Sequence, residues 1–180
     1  MNYANQHREI VEACQSGDRT AQNKLYNLYS KAMYNICYRM LKDEMEAEDV
    51  LQNSFIDVFT KLNSFRFQSA VGAWIKRIVI NNCINQLKRR KVSFELLDDH
   101  YDYSEPAPEP KDRQLTIDRI KAAMAELSDG YRVVFSLYLL EGYDHSEIAQ
   151  ILGVSEATSK SQFSRAKAKM RTLLENMEAV

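Results

Sequence analysis

The chain has 180 residues, 45% of them hydrophobic, which is enough for one ordinary domain or two small domains with packed cores. Five glycines and three prolines are few, so long helices are favoured over turn-rich β structure. No apolar run reaches the roughly 18 residues of a membrane span, and residues 1–8 lack the apolar segment of a signal peptide. The composition therefore predicts a soluble, cytoplasmic protein.

The net charge of −1 conceals a segregation of charge along the chain. Residues 1–92 contain 14 basic and 9 acidic side chains, and residues 93–112 contain one lysine and 7 acidic side chains. Residues 113–180 contain 9 of each. Because a nucleic acid responds to the local distribution of charge, a basic first part followed by an acidic segment is compatible with DNA binding.

Apolar spacing predicts that the N-terminal part is entirely helical, with helices over about residues 20–41, 45–62 and 70–90. Asp18 or Thr20 can cap the first helix. A turn at residues 42–43 and a break at residues 63–69 separate the three. Nothing in this part requires a strand.

The third of these helices combines an apolar side with an unusual polar side. At about 100° per residue, one arc contains Trp74, Arg77, Asn81, Asn85 and Lys88. A tryptophan among basic and amide side chains suits backbone phosphates and unstacked bases. The loop before the helix has the same character and could bind flipped or single-stranded bases through Phe65, Arg66, Phe67, Gln68 and Ser69. The alternative is that Trp74 and Phe65 simply close the core.

The second helix begins with an acidic cluster formed by Glu44, Glu46, Glu48 and Asp49. Acidic side chains at a helix N-terminus interact favourably with the helix dipole, which is the simplest explanation. The cluster would nevertheless repel DNA in an otherwise basic part of the chain. We therefore predict that this surface binds a protein partner.

The segment 93–112 contains all three prolines among acidic side chains and has no apolar period, so it is predicted to be a linker. It separates an N-terminal domain, residues 1–92, from a C-terminal domain, residues 113–180. The predicted fold class is all-α, with an N-terminal helical bundle and a C-terminal helix-turn-helix.

The C-terminal domain is predicted to contain helices over about residues 114–127 and 129–141, followed by a helix-turn-helix in "DHSEIAQILGVSEATSKSQFSRAKAKM", residues 144–170. Gly153 permits the sharp turn, and Ser155 can cap the last helix. That helix contains hydroxyl, amide and basic side chains that suit base edges and phosphates, namely Thr158, Lys160, Ser161, Gln162, Ser164, Arg165 and Lys167. The alternative is an ordinary solvated helix surface.

The remaining chemistry-bearing residues indicate no catalytic or metal site. Cys14, Cys37 and Cys83 form no CxxC pair and are predicted to be reduced and mostly buried. The three histidines are scattered, so no metal or other cofactor is expected. No nucleophile–base set or phosphate-binding glycine loop is visible, and we predict binding rather than catalysis.

Four stretches together resemble the extracytoplasmic-function group of bacterial RNA polymerase sigma factors. "YRMLKDEMEAEDVLQNSFIDVF" is similar to the part of the family's second region that binds the β′ clamp, and "SAVGAWIKRIVINNCINQLKRRK" to the helix that melts the −10 element. "LSDGYRVVFSLYLLEGYDHSEIAQILGVS" and "EATSKSQFSRAKAKM" are similar to the fourth region, which binds the −35 element and the β flap. Two departures are Ser159, where the family usually has a branched apolar residue, and Gln162, where it often has arginine.

The resemblance implies a role for each group of residues. Glu48, Asp49 and Gln52 would face the polymerase clamp, and the loop 65–69 would take a flipped base. The −10 element would be lined by Trp74, Arg77, Asn81 and Lys88, and the −35 element would meet the polar residues of the last helix. The resemblance also implies regulation by an anti-sigma factor. The alternative function is a stand-alone helix-turn-helix regulator with an N-terminal sensor domain.

Overall fold

A computed structural model describes residues 7–90, 92, 94 and 117–177 of the protein. These residues form helices and connecting turns and contain no strand, which confirms the all-α prediction. The chain divides into two units, Met1–Arg90 and Lys91–Val180. Except for Phe94, the predicted linker lies outside the described residues.

The N-terminal unit contains four helices and a 3₁₀ turn at Leu62–Ser64, the helices being α1 (Arg8–Gln15), α2 (Arg19–Leu41), α3 (Glu44–Lys61) and α4 (Val71–Arg89). Asp18 caps α2 as predicted, its carboxylate accepting hydrogen bonds from the backbone N–H groups of Thr20 at 2.7 Å and Ala21 at 3.3 Å. Lys42 adopts the left-handed conformation, with φ of 59°, and ends α2. Asp43 then caps α3.

Helices α2, α3 and α4 pack against one another and enclose the core of this unit. The apolar residues predicted to face inward from α3 and α4 are all buried, namely Ala47, Leu51, Phe55, Val58, Leu62, Val71, Ile75, Val79 and Cys83. For α2 the apolar spacing predicts one buried stripe, namely Leu25, Leu28, Tyr29, Ala32, Ile36 and Met40. This prediction was partly wrong, because Leu28 is 47% exposed whereas Met33 and Cys37 are buried.

A polar link joins α4 to α3. The side-chain amide of Asn82 donates to the hydroxyl of Ser54 at 3.1 Å and to the carboxylate of Asp57 at 3.0 Å. The hydrogen bond from Asn82 stabilises the charged carboxylate and so lowers the pKa of Asp57. This link fixes the rotation of α4, and therefore which of its faces is exposed.

All three cysteines are free and buried, as predicted. A hydrogen bond with Cys37, together with burial, raises the pKa of the Cys83 thiol well above its usual value. Because the neutral thiol is favoured at this position, Cys83 behaves as an apolar core residue.

Helix α1 was not predicted from the sequence. Val11 and Cys14 are three positions apart and are buried against the rest of the unit, where α1 packs on α2. At the start of α1, the ring of His7 is hydrogen-bonded to the hydroxyl of Tyr29 at 2.8 Å. Tyr29 in turn lies directly over Gly72 of α4.

The C-terminal unit contains four described helices, which are α5 (Ile117–Glu126), α6 (Asp129–Leu139), α7 (His145–Leu152) and α8 (Glu156–Asn176). Asp144 and Glu147 form a reciprocal capping box at the start of α7. Gly153 has φ of 76°, as the predicted turn requires, and the Ser155 hydroxyl caps α8. The helix-turn-helix is therefore confirmed.

An apolar cluster packs α8, the second helix of the helix-turn-helix, against α5 and α6. It is formed by Ala123, Met124 and Leu127 with Phe135, Ala166 and Met170. Within the part of the chain that the structure describes, no helix is both long enough and apolar enough to cross a membrane.

Replacement of Gly72 by alanine should destabilise the N-terminal unit by about 1–3 kcal/mol through overpacking. A Cβ atom at this position would lie 2.7 Å from the Tyr29 ring, so the ring must shift and weaken its bond to His7. The measurement is urea unfolding monitored by circular dichroism, with Asn35→Ala at an exposed position of α2 as the control. An increase in stability for Gly72→Ala, as helix propensity alone predicts, would contradict this packing.

Candidate nucleic-acid and protein interfaces

The outer side of α4 is a polar surface formed by Arg77, Asn81, Asn85 and Lys88, all of which are exposed. These residues follow one another at intervals of four, four and three, so they form one line along the helix. Trp74 continues the line toward the start of α4 and is half-buried. The opposite side of α4 is buried, and the predicted separation of the two faces is therefore observed.

Next to Trp74 lies the loop of residues 65–70, named here the capture loop. The ring of Phe65 is 5.3 Å from the Trp74 ring and 5.0 Å from the Phe67 ring, measured between centroids. Phe65 is only 5% exposed, so its side chain closes the core and does not offer a contact surface. Of the two interpretations of Phe65, direct base contact or closing the core, the structure supports the second, because the ring packs against Trp74.

The other residues of the capture loop are accessible. Phe67 is half-buried and has φ of 56°, a left-handed conformation that costs a non-glycine residue about 1–2 kcal/mol. Arg66, Gln68 and Ser69 are exposed beside it. The loop and the outer side of α4 together form one surface with aromatic rings, amides and positive charge.

On α3, four exposed residues form a second line, named here the α3 stripe, which consists of Met45, Asp49, Gln52 and Ile56. Met45 is 79% exposed and Ile56 is 63% exposed, although both are apolar. Exposed apolar side chains that frame polar groups are typical of a surface that binds another protein. The stripe thus supports the interpretation of this region as a protein interface.

The acidic residues around the α3 stripe differ in their roles. Glu48 is exposed beside the stripe, and burial together with the charges of Glu44 and Glu48 raises the pKa of Tyr34. Glu46 is half-buried and forms an ion pair with Arg90, whose guanidinium also donates to the Leu41 carbonyl at 3.0 Å. Glu46 therefore holds α3 to the end of α4, whereas Glu44, Glu48 and Asp49 are exposed.

On α8, the exposed residues Lys160, Ser164, Lys167 and Arg171 form a line that we name the α8 basic ridge. They are spaced four, three and four residues apart and so share one side of the helix. Glu156 pairs with Lys160 at 2.7 Å and raises its pKa through a hydrogen bond and its charge. Arg171 belongs to this ridge although it was not among the predicted DNA contacts; its spacing from Lys167 was the available signal.

The other predicted residues of α8 are less accessible. Thr158, Ser161 and Arg165 are half-buried, and Thr158 shares a hydrogen bond of 2.8 Å with the Ser155 hydroxyl. Gln162 is only 3% exposed, because its amide donates to the backbone carbonyl of the buried Phe94. In this conformation the Gln162 side chain is thus unavailable to DNA, contrary to the prediction.

Ser159, the position at which the sequence departs from the resembled family, is fully buried between α7 and α8. Its hydroxyl lies 2.9 Å from the ring nitrogen Nδ1 of His145. The His145 ring stacks on Tyr138, with centroids 4.5 Å apart. A polar contact therefore occupies this position and satisfies the buried hydroxyl.

Two family models match the chain: "Sigma-70 region 2" over residues 25–92 and "Sigma-70, region 4" over residues 117–170. Each match coincides with one of the two structural units and contains its exposed polar helix. The chain belongs to the sigma-70 family, and relatives described below carry the name of its extracytoplasmic-function group. It is an RNA polymerase sigma factor, and the predicted family and function are confirmed.

Relatives of this sigma factor extend over nearly the same length. The chain is 29% identical to the ECF RNA polymerase sigma factor SigM of Mycobacterium tuberculosis, over 92% of this chain and 83% of that protein. It is 26% identical to SigW of Bacillus subtilis, over 94% and 97% of the two chains. Its fold is similar to that of RpoE of Bartonella quintana, solved with the anti-sigma factor NepR, with a TM-score of 0.58, 24% identity and coverage of 85% and 96%.

Removal of one charge from the α8 basic ridge by Lys167→Ala should weaken promoter binding by the holoenzyme about 3- to 10-fold. The reason is the loss of one phosphate contact, which should also reduce the slope of log K against log salt by about 1. Fluorescence anisotropy with a labelled promoter fragment at several salt concentrations measures both. Lys121→Ala, at an exposed position of α5, is the matched control, and an equal effect of both variants would contradict the assignment of the ridge.

Proposed function

We propose that this sigma factor uses three separate surfaces for the three tasks of promoter recognition. The α3 stripe binds the β′ clamp of core RNA polymerase, and the capture loop with the outer side of α4 binds the −10 element. The α8 basic ridge binds the −35 element. The observation that supports this division best is that each surface is exposed and lies opposite a buried face of the same unit.

The −10 surface combines the two kinds of contact that a melting promoter requires. Arg77 and Lys88 can bind phosphates along α4, and the amides of Asn81 and Asn85 can reach base edges. At the end of the line, Trp74 can stack on a base that has left the duplex. Arg66, Gln68 and Ser69 of the capture loop can bind the flipped base, while Phe65 supports the loop from below.

The −35 surface begins with the α8 basic ridge, where Lys160 and Lys167 can bind phosphates and Ser164 can approach base edges. Thr158, Ser161 and Arg165 lie beside the ridge and extend it. The exposed apolar residues Leu139 and Leu140 at the end of α6, about half exposed each, offer a separate surface for the β flap.

Binding to core polymerase makes two weak DNA-binding units effective together. A net charge of −1 gives the free chain little long-range attraction to DNA, so the free protein should bind duplex DNA weakly. Once the polymerase holds both units, binding of the second element becomes intramolecular and gains from a high effective concentration. Capture of unstacked bases by the N-terminal unit then favours strand separation.

The same surfaces suit regulation by a protein that competes with polymerase. The similar RpoE was solved with an anti-sigma factor, and we propose that an anti-sigma factor covers the α3 stripe of this chain. We also propose that this sigma factor acts in the cytoplasm, and that it acts by binding rather than by catalysis.

The first experiment is transcription by core RNA polymerase from a related bacterium, mixed with this protein and a genomic fragment library. We expect discrete transcript starts that share two upstream motifs and that are absent with core alone. Tight binding to duplex DNA without any effect on core would overturn the proposal and favour a stand-alone regulator.

Reversal of one charge on the α3 stripe by Asp49→Lys should weaken binding to core polymerase by about 10-fold or more. The introduced lysine would either repel a basic group of the polymerase or remain without an acidic partner in a contact from which water is excluded. Titration of labelled sigma factor with core polymerase measures the affinity. Glu9→Lys, at an exposed position of α1, is the control, and unchanged affinity for Asp49→Lys would remove the stripe from the interface.

A further inference from the structure

Helix α1 precedes residues 25–92, which match sigma-70 region 2, yet it contacts the capture loop directly. The side-chain amide of Gln15, at the C-terminal end of α1, donates to the backbone carbonyl of Leu62 at 2.9 Å. It also donates to the carbonyl of Phe65 at 3.4 Å. One amide therefore holds both the turn that ends α3 and the first residue of the loop.

A second contact joins the other end of α1 to the same loop. The guanidinium carbon of Arg8 lies 4.5 Å from the centroid of the Phe67 ring, in a cation–π arrangement. Glu12, one turn later on α1, accepts a hydrogen bond of 2.7 Å from Arg8 and orients it. Phe67 is the loop residue with the left-handed backbone, so the contact stabilises the residue whose backbone conformation is least favourable.

We infer that α1 is part of the −10 site and that Gln15 and Arg8 are positioning residues for base capture. Gln15 holds the first residue of the capture loop, Phe65, in place, and Arg8 holds the ring of Phe67. This inference rests on the proposed role of the loop in −10 recognition. It assigns a function to a helix that lies outside the residues matched by the family model.

The physical reason is preorganisation. A loop that is ordered before the base arrives loses little conformational entropy on binding, and more of the contact energy appears as affinity. Without the two bonds from Gln15, the loop must be ordered at the moment of capture. The loss should therefore appear in capture of the flipped base, and not in contacts made by α4 or by the C-terminal unit.

The test uses holoenzyme with the full chain and the promoter found by the transcription experiment. Gln15→Met keeps the length of the side chain but removes the amide donor. Gln15→Glu adds a negative charge beside two carbonyl oxygens and should have a larger effect. Gln22→Met is the control, since Gln22 is a half-buried glutamine on α2 that lines a surface groove with Tyr26 and Phe59.

The measured quantity is the affinity for −10 single strands that each carry one abasic site, scanned along the element. In the wild type, removal of the captured base should weaken binding by about 10-fold or more, since its contacts with the capture loop are lost. In Gln15→Met this penalty should fall to about 3-fold at that position alone, and in Gln15→Glu it should nearly disappear. Gln22→Met should retain the wild-type penalty.

Each other outcome overturns the inference in a recognisable way. An unchanged penalty in Gln15→Met shows that the loop does not depend on α1. An equal loss at all positions, together with weaker core binding, shows a role in folding only. A wild type with no sensitive position would instead reject base capture by the loop, and with it the proposed −10 role.

Arg8 supplies a second, independent variant. Arg8→Lys keeps the positive charge, and therefore the attraction to phosphates, but loses the planar group that lies on Phe67. We expect it to reduce the abasic penalty at the same position while the salt dependence of binding stays unchanged. A reduced salt slope with an unchanged penalty would identify Arg8 as a phosphate contact and exclude it as a positioning residue.

Discussion

The register of α4 is the constraint on which the N-terminal unit depends. The same nineteen-residue helix must bury Val71, Ile75, Val79 and Cys83 in the core and expose the line from Arg77 to Lys88. A rotation of the helix would bury charge and expose apolar surface together, and both changes are unfavourable. The bonds from Asn82 to Ser54 and Asp57 resist that rotation. The core and the exposed polar line of α4 are therefore two consequences of one packing arrangement.

In the C-terminal unit, capping groups and one polar contact fix the orientation of the helices. The capping box at α7, the left-handed Gly153 and the Ser155 cap determine how the chain turns between its last two helices. Ser159 then lies at the point where those helices meet, a position at which the family usually has an apolar side chain. Because its hydroxyl is paired with His145, which also stacks on Tyr138, the substitution leaves the helix-turn-helix intact.

Much of this organisation could be predicted from the sequence, because it follows from local signals. Caps such as Asp18 and Ser155, and the periodicity of α3 and α4, depend only on neighbouring residues. Burial of Gln162 could not be predicted, since it depends on a contact with Phe94, which is distant along the chain. For Phe65 the sequence left two interpretations open, and only its packing against Trp74 decides between them. Helix α1 was missed because only Val11 and Cys14 mark its buried side. The buried side of α2 was partly mispredicted because this helix has apolar residues on several sides, and their spacing alone does not show which of them face the core.

Charge segregation connects the separate surfaces to the function of the whole chain. The N-terminal unit contains both acidic positions that suit a protein partner, on α3, and a basic line that suits DNA, on α4. The free chain has a net charge of −1 and therefore little long-range attraction to DNA. A sigma factor with this distribution should find promoters efficiently only after polymerase has bound it. If the free protein binds promoters weakly, as proposed, it would occupy few of them unproductively, and specificity would arise from the assembled enzyme.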